Sequence, residues 1–502
     1  MTPAPSLSDP LRITTGIAGL DEVLGGGLTR DRVYLVEGSP GTGKTTLSLQ
    51  FLLDGAARGE AGLYITLSET ADELHAVAAT HGWSLDALSI FELVSEAGLD
   101  PDSEQSILHP SEVELGETTR AVMREVEALR PARVVFDSLS ELRLLAQNPL
   151  RYRRQILAFK QFFSSRQCTV LLLDDRTSEP TDLQLHSIAH GVLSLDQAPR
   201  AFGAERRCLR VIKMRGIRFS GGYHDFNLDT GGLTLFPRLV AARHHVPFVP
   251  VIASTGNAEL DTLLGGGLVP GTNMLLSGPS GVGKTTTAVR CMLTALERGE
   301  RATYYLFDEG LGTLLERSLS LGMDLRPHLD SGRLVVQQID PAELSAGEFL
   351  WRVRQAVEAG SSVLVIDSLN AYLHAMPGEK FLVLQMHELL TFLNQQGVKT
   401  LVILGQHGLV GNVRSDIDLS YLSDGILLFR FFEAQGEVRT AISVVKSRVS
   451  AHERTIREFR LGAGGVQVGE ALRDFEGVLS GLPIYKGEMS MLKGSLPADE
   501  LD

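Results

Sequence analysis

The stretch GSPGTGKTT at residues 38–46 decides how this chain is read, and GPSGVGKTT at 278–286 repeats it. Gly38, Gly43, Lys44 and Thr45 complete the spacing GxxxxGK[ST], as do Gly278, Gly283, Lys284 and Thr285. Phosphate oxygens present several acceptors close together, so a chain that grips them turns backbone N–H groups inward, and glycines let it curl and approach. A helix that follows adds the partial positive charge of its N-terminus. The candidates for phosphate contact are Gly38, Ser39, Pro40, Gly41, Thr42, Gly43, Lys44, Thr45 and Thr46 in the first loop. In the second they are Gly278, Pro279, Ser280, Gly281, Val282, Gly283, Lys284, Thr285 and Thr286. The lysines suit the outer phosphates of a nucleoside triphosphate, and Thr45 and Thr285 each offer a hydroxyl to Mg²⁺.

Context agrees with the motif. Apolar runs, YLVEG and MLLSG, lead into the loops, and LSLQFLLDGAARG and TAVRCMLTALERG lead out, which predicts strand, loop and helix. Lys44 and Lys284 lie 240 residues apart, and much else recurs at that interval. LDEVLGGGL at 20–28 answers LDTLLGGGL at 260–268, and GLYITLSE answers ATYYLFDE, setting Glu69 opposite Glu309. RVVFDSL, with Asp137, answers VLVIDSL, with Asp367, at an offset of 230, and VIKMRG around Lys213 answers VVKSRV around Lys446. Small insertions in loops account for the changing offset.

Near-continuous apolar strands alternating with helical stretches such as GETTRAVMREVEAL predict an α/β fold, with a mostly parallel sheet flanked by helices in each half. The expected division is a first domain at 1–240, a second at 241–470 and a tail at 471–502. The join, PRLVAARHHVPFVP at 237–250, carries His244 and His245, read as solvated linker residues. The last residues are acidic and without period, which predicts mobility.

Composition narrows the function. The 502 residues are 43% hydrophobic and 22% charged, ordinary for a globular protein, with a net charge of −14 that argues against nucleic acid as the resting partner. Three cysteines, Cys168, Cys208 and Cys291, form neither a disulfide framework nor a zinc ribbon. No signal peptide or membrane-spanning run is evident, so the expected location is cytoplasmic, away from membranes.

Phosphoryl transfer needs positioning, a metal and relief of accumulating charge. Asp137 and Asp367 close buried strands, where a carboxylate would hold Mg²⁺ or its water. The base that takes the proton of the attacking group is expected at the end of an adjacent strand: Glu69 in the first repeat, Asp308 or Glu309 in the second. For Glu69 the alternative is a helix-start acid serving only the dipole, since LSET resembles a helix N-terminus. His186 and His190, spaced i, i+4, could face a metal together, but no third ligand suggests itself. Asp174 and Asp175 are strand-end residues, either near the nucleotide or structural.

Taken together these residues resemble the KaiC group of RecA-like ATPases, two fused RecA-like P-loop ATPase domains. The likeness covers both phosphate loops, both LDxxLGGGL openings, both Asp-Ser pairs and FEGVLSGLP at 475–483. It implies ATP and Mg²⁺ as cofactors and a homohexameric double ring, with a KxRG stretch reaching the neighbour's ATP. Lys213 and Arg215 match that stretch, and Lys446 and Arg448 match it without the glycine. The group's pattern carries two adjacent glutamates at the base position, whereas this chain has Ser68 and Asp308 at the first of them, which puts hydrolysis in the first repeat in question. In the clock members a Ser-Thr pair accepts phosphate, and the matching stretch here, SDIDLSYLSDG at 415–425, offers Ser420 followed by Tyr421. The resemblance thus implies an ATPase with serine autokinase activity in the second domain, acting in signalling or timing, with a regulatory protein possible at the C-terminal tail. The competing reading is a RecA-like repair or recombination ATPase bound to single-stranded DNA. A third is a module that keeps nucleotide as structural glue.

Overall fold

The computed structural model describes residues 11–93, 110–146, 148–176, 183–198, 203–340, 342–374, 381–406, 408, 421–434, 436–462, 465–480 and 484–486. Contacts divide the chain into two units at Arg238/Leu239, inside the expected join and two residues before the expected boundary after residue 240, with Ser345–Trp351 grouped with the first.

Each unit is built on a nine-stranded sheet. In the first, the order runs Ser89–Glu92, Gly62–Thr66, Arg133–Asp137, Thr169–Asp175, Val33–Gly38, Gly191–Ala198, Arg206–Met214, Tyr223–Asp229 and Gly232–Phe236. In the second it runs Leu334–Gln338, Ala302–Leu306, Val363–Asp367, Lys399–Gly405, Thr272–Gly278, Gly425–Ala434, Glu437–Ser447, Arg457–Gly462 and Gly465–Ala471. The two orders correspond strand for strand. The first six strands of each are parallel and the last three antiparallel. That antiparallel edge was not read from the sequence. In Arg206–Met214 burial alternates in part, as expected where one face is packed and the other solvated, whereas Glu437–Ser447 buries Ala441, Ile442, Ser443 and Val444 as a run.

The strand before each phosphate loop lies inside its sheet. All six residues of Val33–Gly38 are buried, and the strand pairs with Thr169–Asp175 on one side and Gly191–Ala198 on the other. The helix Lys44–Ala57 leaves the loop and buries Leu47, Leu49, Phe51 and Leu52 against the sheet, and Lys284–Glu297 does the same with Val289, Met292, Leu293 and Leu296. The turn into each helix needs glycine. Gly43 has φ +98° and a Cβ there would meet Leu228 at 2.9 Å, while Gly283 has φ +96° and would meet Phe459 at 2.7 Å.

One expectation fails here. His244 is not solvated: its ring packs edge-on against Phe392, centroids 5.4 Å apart, and its carbonyl accepts from Gln396, so the join after Val240 is held to the second unit, while His245 is exposed. Within the stretch 471–502 assigned to the tail, ordered pairing continues. Phe475–Glu476 pairs with Ile484–Tyr485, and Val478 is buried with Phe432, Ala434 and Ala441. The acidic terminus lies outside the described residues. Among the described residues no helix is long and apolar enough to cross a membrane.

Candidate functional site

In a parallel sheet the carboxyl ends of neighbouring strands and the loops after them share one edge, and each phosphate loop opens there. Asp137 and Asp367 end their strands at that edge, in register with Thr66 and Leu306 of the next strand. Both are buried, and the peptide that follows each is cis.

In the second unit the residues expected to serve the metal touch. Thr285 Oγ1 donates to Asp367 Oδ2 at 2.8 Å, and Tyr304 donates to the same oxygen at 2.6 Å. Burial raises the pKa of Asp367, the hydrogen bonds from Tyr304 and Thr285 oppose it, and Glu309 and Asp308 add to the rise. Lys284 donates to the carbonyls of Gly278 at 2.8 Å and Pro279 at 2.6 Å, and its burial brings its pKa down to about 8. In the first unit Tyr64 donates to Asp137 at 2.5 Å. Sequence reasoning missed both tyrosines, although Tyr64 and Tyr304 stand at the 240-residue offset. A cation fits this set of donors. Thr285 with Asp367 supplies a hydroxyl and a carboxylate already converging, and burial makes each aspartate costly to keep charged without a counter-ion.

The base candidates differ sharply. The helix Ala71–Thr80 is capped by Thr70, whose side chain accepts from Glu73 N while Glu73 reciprocates, so Glu69 is not the capping acid. Glu69 Oε2 is buried with no hydrogen-bond partner. Its pKa is raised by burial first, then by Asp137, Glu73 and Asp175, with Lys44 opposing. In the second unit Glu309 is held by Arg317 through two bonds of 2.6 and 2.7 Å, and Asp308 accepts from Ser368. The counterpart of Arg317 in the first repeat is Val77, so Glu69 has no such clamp.

Asp174 and Asp175 now separate. Asp174 pairs with Arg143 at 2.9 Å, whereas Asp175 pairs with Lys44 at 2.7 Å, beside the lysine's bonds to the carbonyls of Gly38 and Ser39. The two histidines of LHSIAH do not face one ligand. His186 Nε2 meets Glu37 at 2.7 Å and the His190 ring packs edge-on against Tyr34. Among the described residues no group of three or more His, Cys, Asp or Glu could hold a metal.

Lys213 and Arg215 donate to the carbonyls of His186 and Ser187. In the second unit Arg448 donates to the carbonyl of Tyr421 at 2.9 Å and lies 3.6 Å from Asp424, while Lys446 lies on the strand Glu437–Ser447. Ser420 lies outside the described residues, next to Tyr421, which is exposed.

Two strand-loop-helix units, each with a lysine, a hydroxyl and a strand-end carboxylate at one sheet edge, define a tandem RecA-like P-loop ATPase. Comparison with known proteins makes this particular. The family model for the ATPase KaiC matches residues 13–240 and again 253–473, and the chain belongs to that family. It is similar to the circadian clock protein KaiC3 of Synechocystis sp., 26% identical over 491 residues that cover 96% of this chain and 97% of that protein. It is also similar to the circadian clock oscillator proteins KaiC of Parathermosynechococcus lividus, at 26% identity over 97% of this chain and 91% of the relative, and of Thermostichus vulcanus, at 27% over 95% and 93%.

Proposed function

We propose that the chain is a ring-forming ATPase whose two sites hold ATP with Mg²⁺ and do unequal work. The observation that carries the reading is the paired edge: Lys284, Thr285 and Asp367 converge in one unit, and Lys44, Thr45 and Asp137 stand in matching positions in the other. Mg²⁺ would supply charge neutralisation of the outer phosphates, held by Thr45 with Asp137 and by Thr285 with Asp367. Glu69 is the base of the first repeat, since its unpartnered oxygen and raised pKa suit a group that must accept a proton. Asp308 serves the second, because Arg317 occupies Glu309. Lys213 and Arg215, with Lys446 and Arg448, complete sites on the neighbouring copy in a homohexamer.

The second repeat further phosphorylates its own chain on Ser420, and the assembly works in signalling or timing in the cytoplasm, with its tail open to a regulatory protein. The relatives named as clock proteins and the position of Ser420 beside Tyr421, to which Arg448 is bonded, support this. The purified protein is incubated with ATP and Mg²⁺, and phosphopeptides are mapped in wild type, Ser420→Ala, Tyr421→Phe and Lys284→Ala. Phosphate is expected on Ser420 and lost in Ser420→Ala and Lys284→Ala. Turnover without phosphate on the wild-type chain removes the kinase step and leaves the ATPase.

A further inference from the structure

The two repeats differ at one strand end that the shared motifs do not touch. Gly38 pairs in register with Asp175, and its counterpart Gly278 pairs with Gly405. Asp175 and Gly405 are therefore the same place in two copies of one fold. At that place the first repeat has a carboxylate 2.7 Å from the loop lysine, and the second has no side chain at all. Ser140 Oγ accepts from Asp175 N at 3.2 Å, as Asn370 Oδ1 accepts from Gly405 N at 2.6 Å, so the backbone there is held alike.

Resting on the reading that Lys44 meets the outer phosphates of ATP, we propose that Asp175 is a resident counter-charge that holds the lysine until a polyphosphate displaces it. The Lys44 side chain is 8% exposed and that of Asp175 29%, so the pair is shielded enough to compete with a ligand. Asp175 acts twice against an incoming phosphate. Its bond to Lys44 must be given up, and its charge then remains beside the phosphates, with Asp137 close behind. Glu69 also feels it. The second repeat, with Gly405, carries neither penalty. Asp175 is thus a positioning residue that makes the first site the weaker holder of free nucleotide and the more dependent on Mg²⁺, which offsets the added negative charge.

The test isolates each site. In a Lys284→Ala background the first site is titrated with the fluorescent analogue mant-ATP and Mg²⁺, with Asp175 intact and as Asp175→Asn or Asp175→Gly. Affinity is expected to rise about tenfold, as for loss of one part-shielded charge contact, and its dependence on Mg²⁺ to flatten. In a Lys44→Ala background Gly405→Asp is expected to weaken the second site by a similar factor. A Cβ at Gly405 would first meet the Asn370 side chain, at 3.3 Å, and the backbone is not left-handed, so that variant asks only a small shift of one side chain and decides the matter should the Asp175 variants fail to fold. Unchanged or weaker binding in Asp175→Asn, or no effect of Gly405→Asp, overturns the counter-charge. Loss of mant-ATP binding in Lys284→Ala alone and with Asp175→Asn instead removes the reading of the first phosphate loop, and the counter-charge with it.

Discussion

Between the repeats, the acids around the loops are chosen for opposite states. Glu69 has a buried oxygen without a partner, and Glu309, its counterpart, is clamped by Arg317. A carboxylate already held by a guanidinium makes a poor base, because taking the proton would cost that pairing. Glu69→Gln is therefore expected to lower turnover by the first repeat about 10²- to 10⁴-fold with nucleotide affinity little changed, measured as single-turnover hydrolysis in Lys284→Ala. Asp308→Asn should do the same to the second repeat in Lys44→Ala. Full activity of Glu69→Gln would mean that the first site is run by another group. The phosphate-loop residues and the strand-end aspartates were legible in the sequence because fixed spacing ties each to its job. The Tyr64 and Tyr304 bonds and the Lys44–Asp175 pair were not, since each joins residues far apart in the chain whose approach depends on strand order, and the Arg317 clamp, only eight residues from Glu309, was not because the first repeat has Val77 at its counterpart and so no repeated pattern marks it.

At the level of elements, the strand Arg133–Asp137 shows how much fold can be read and what stays hidden. Its RVVFD run reads at once as a buried strand, except for an arginine. Arg133 is fully buried, with Nε 2.6 Å from Glu60, Nη2 3.0 Å from Asp54 and Nη1 bonded to the carbonyls of Phe51 and Thr14. It ties the helix Lys44–Ala57 to the strand that ends in Asp137. In the second repeat Val363 takes its place, and Lys399 of the next strand over meets Glu300, the counterpart of Glu60. The same acid is answered from a different strand, which no local pattern announces. Arg133→Met takes the shared buried cation from Asp54 and Glu60, leaving them Arg58 with Thr14 and Arg30, and is expected to destabilise the first unit by about 3 kcal/mol at pH 7, read from its urea unfolding transition. Burial works to raise both carboxylates, but hydrogen bonds from Arg58 and Thr14 hold Asp54 below its ordinary 3.8, and those from Arg133 and Arg30 hold Glu60 below its ordinary 4.5. Acids with depressed folded pKa add stability that is full above their unfolded values and fades as pH falls through the folded ones. Wild type therefore loses this contribution below about pH 4, and the gap to Arg133→Met should narrow there. A gap that stays constant from pH 7 to 3 would show the loss to be one of packing alone.

For the whole molecule the decisive question is how many copies act together, and the KMRG segment bears on it. Lys213, Arg215 and Lys160 donate to the carbonyls of His186, Ser187 and Ile188, the last turn of the helix Leu183–Ile188. Three cations thus crowd one helix end. The pKa of Lys213 is lowered by burial and then by the charges of Arg215 and Lys160, and that of Lys160 by burial, Arg215 and Arg32. Such a cluster is relieved by an anion, and polyphosphate brought by another copy would provide one. A contact in which one copy's cations meet the next copy's nucleotide is heterologous, and it closes into a ring if the rotation permits. Light scattering of the wild type with ATP and Mg²⁺ is expected to give about six chain masses, falling toward one without nucleotide. Lys213→Ala with Arg215→Ala should keep binding of mant-ATP at the first loop but lose at least about 10³-fold in first-repeat turnover, the scale of a trans-acting arginine. If the doubly substituted chain kept its turnover, the two cations would be no more than caps for their own helix. A wild-type chain that stays at one mass with ATP and Mg²⁺ would sink the ring itself, because every trans role assigned to Lys213 and Arg215 requires a neighbour.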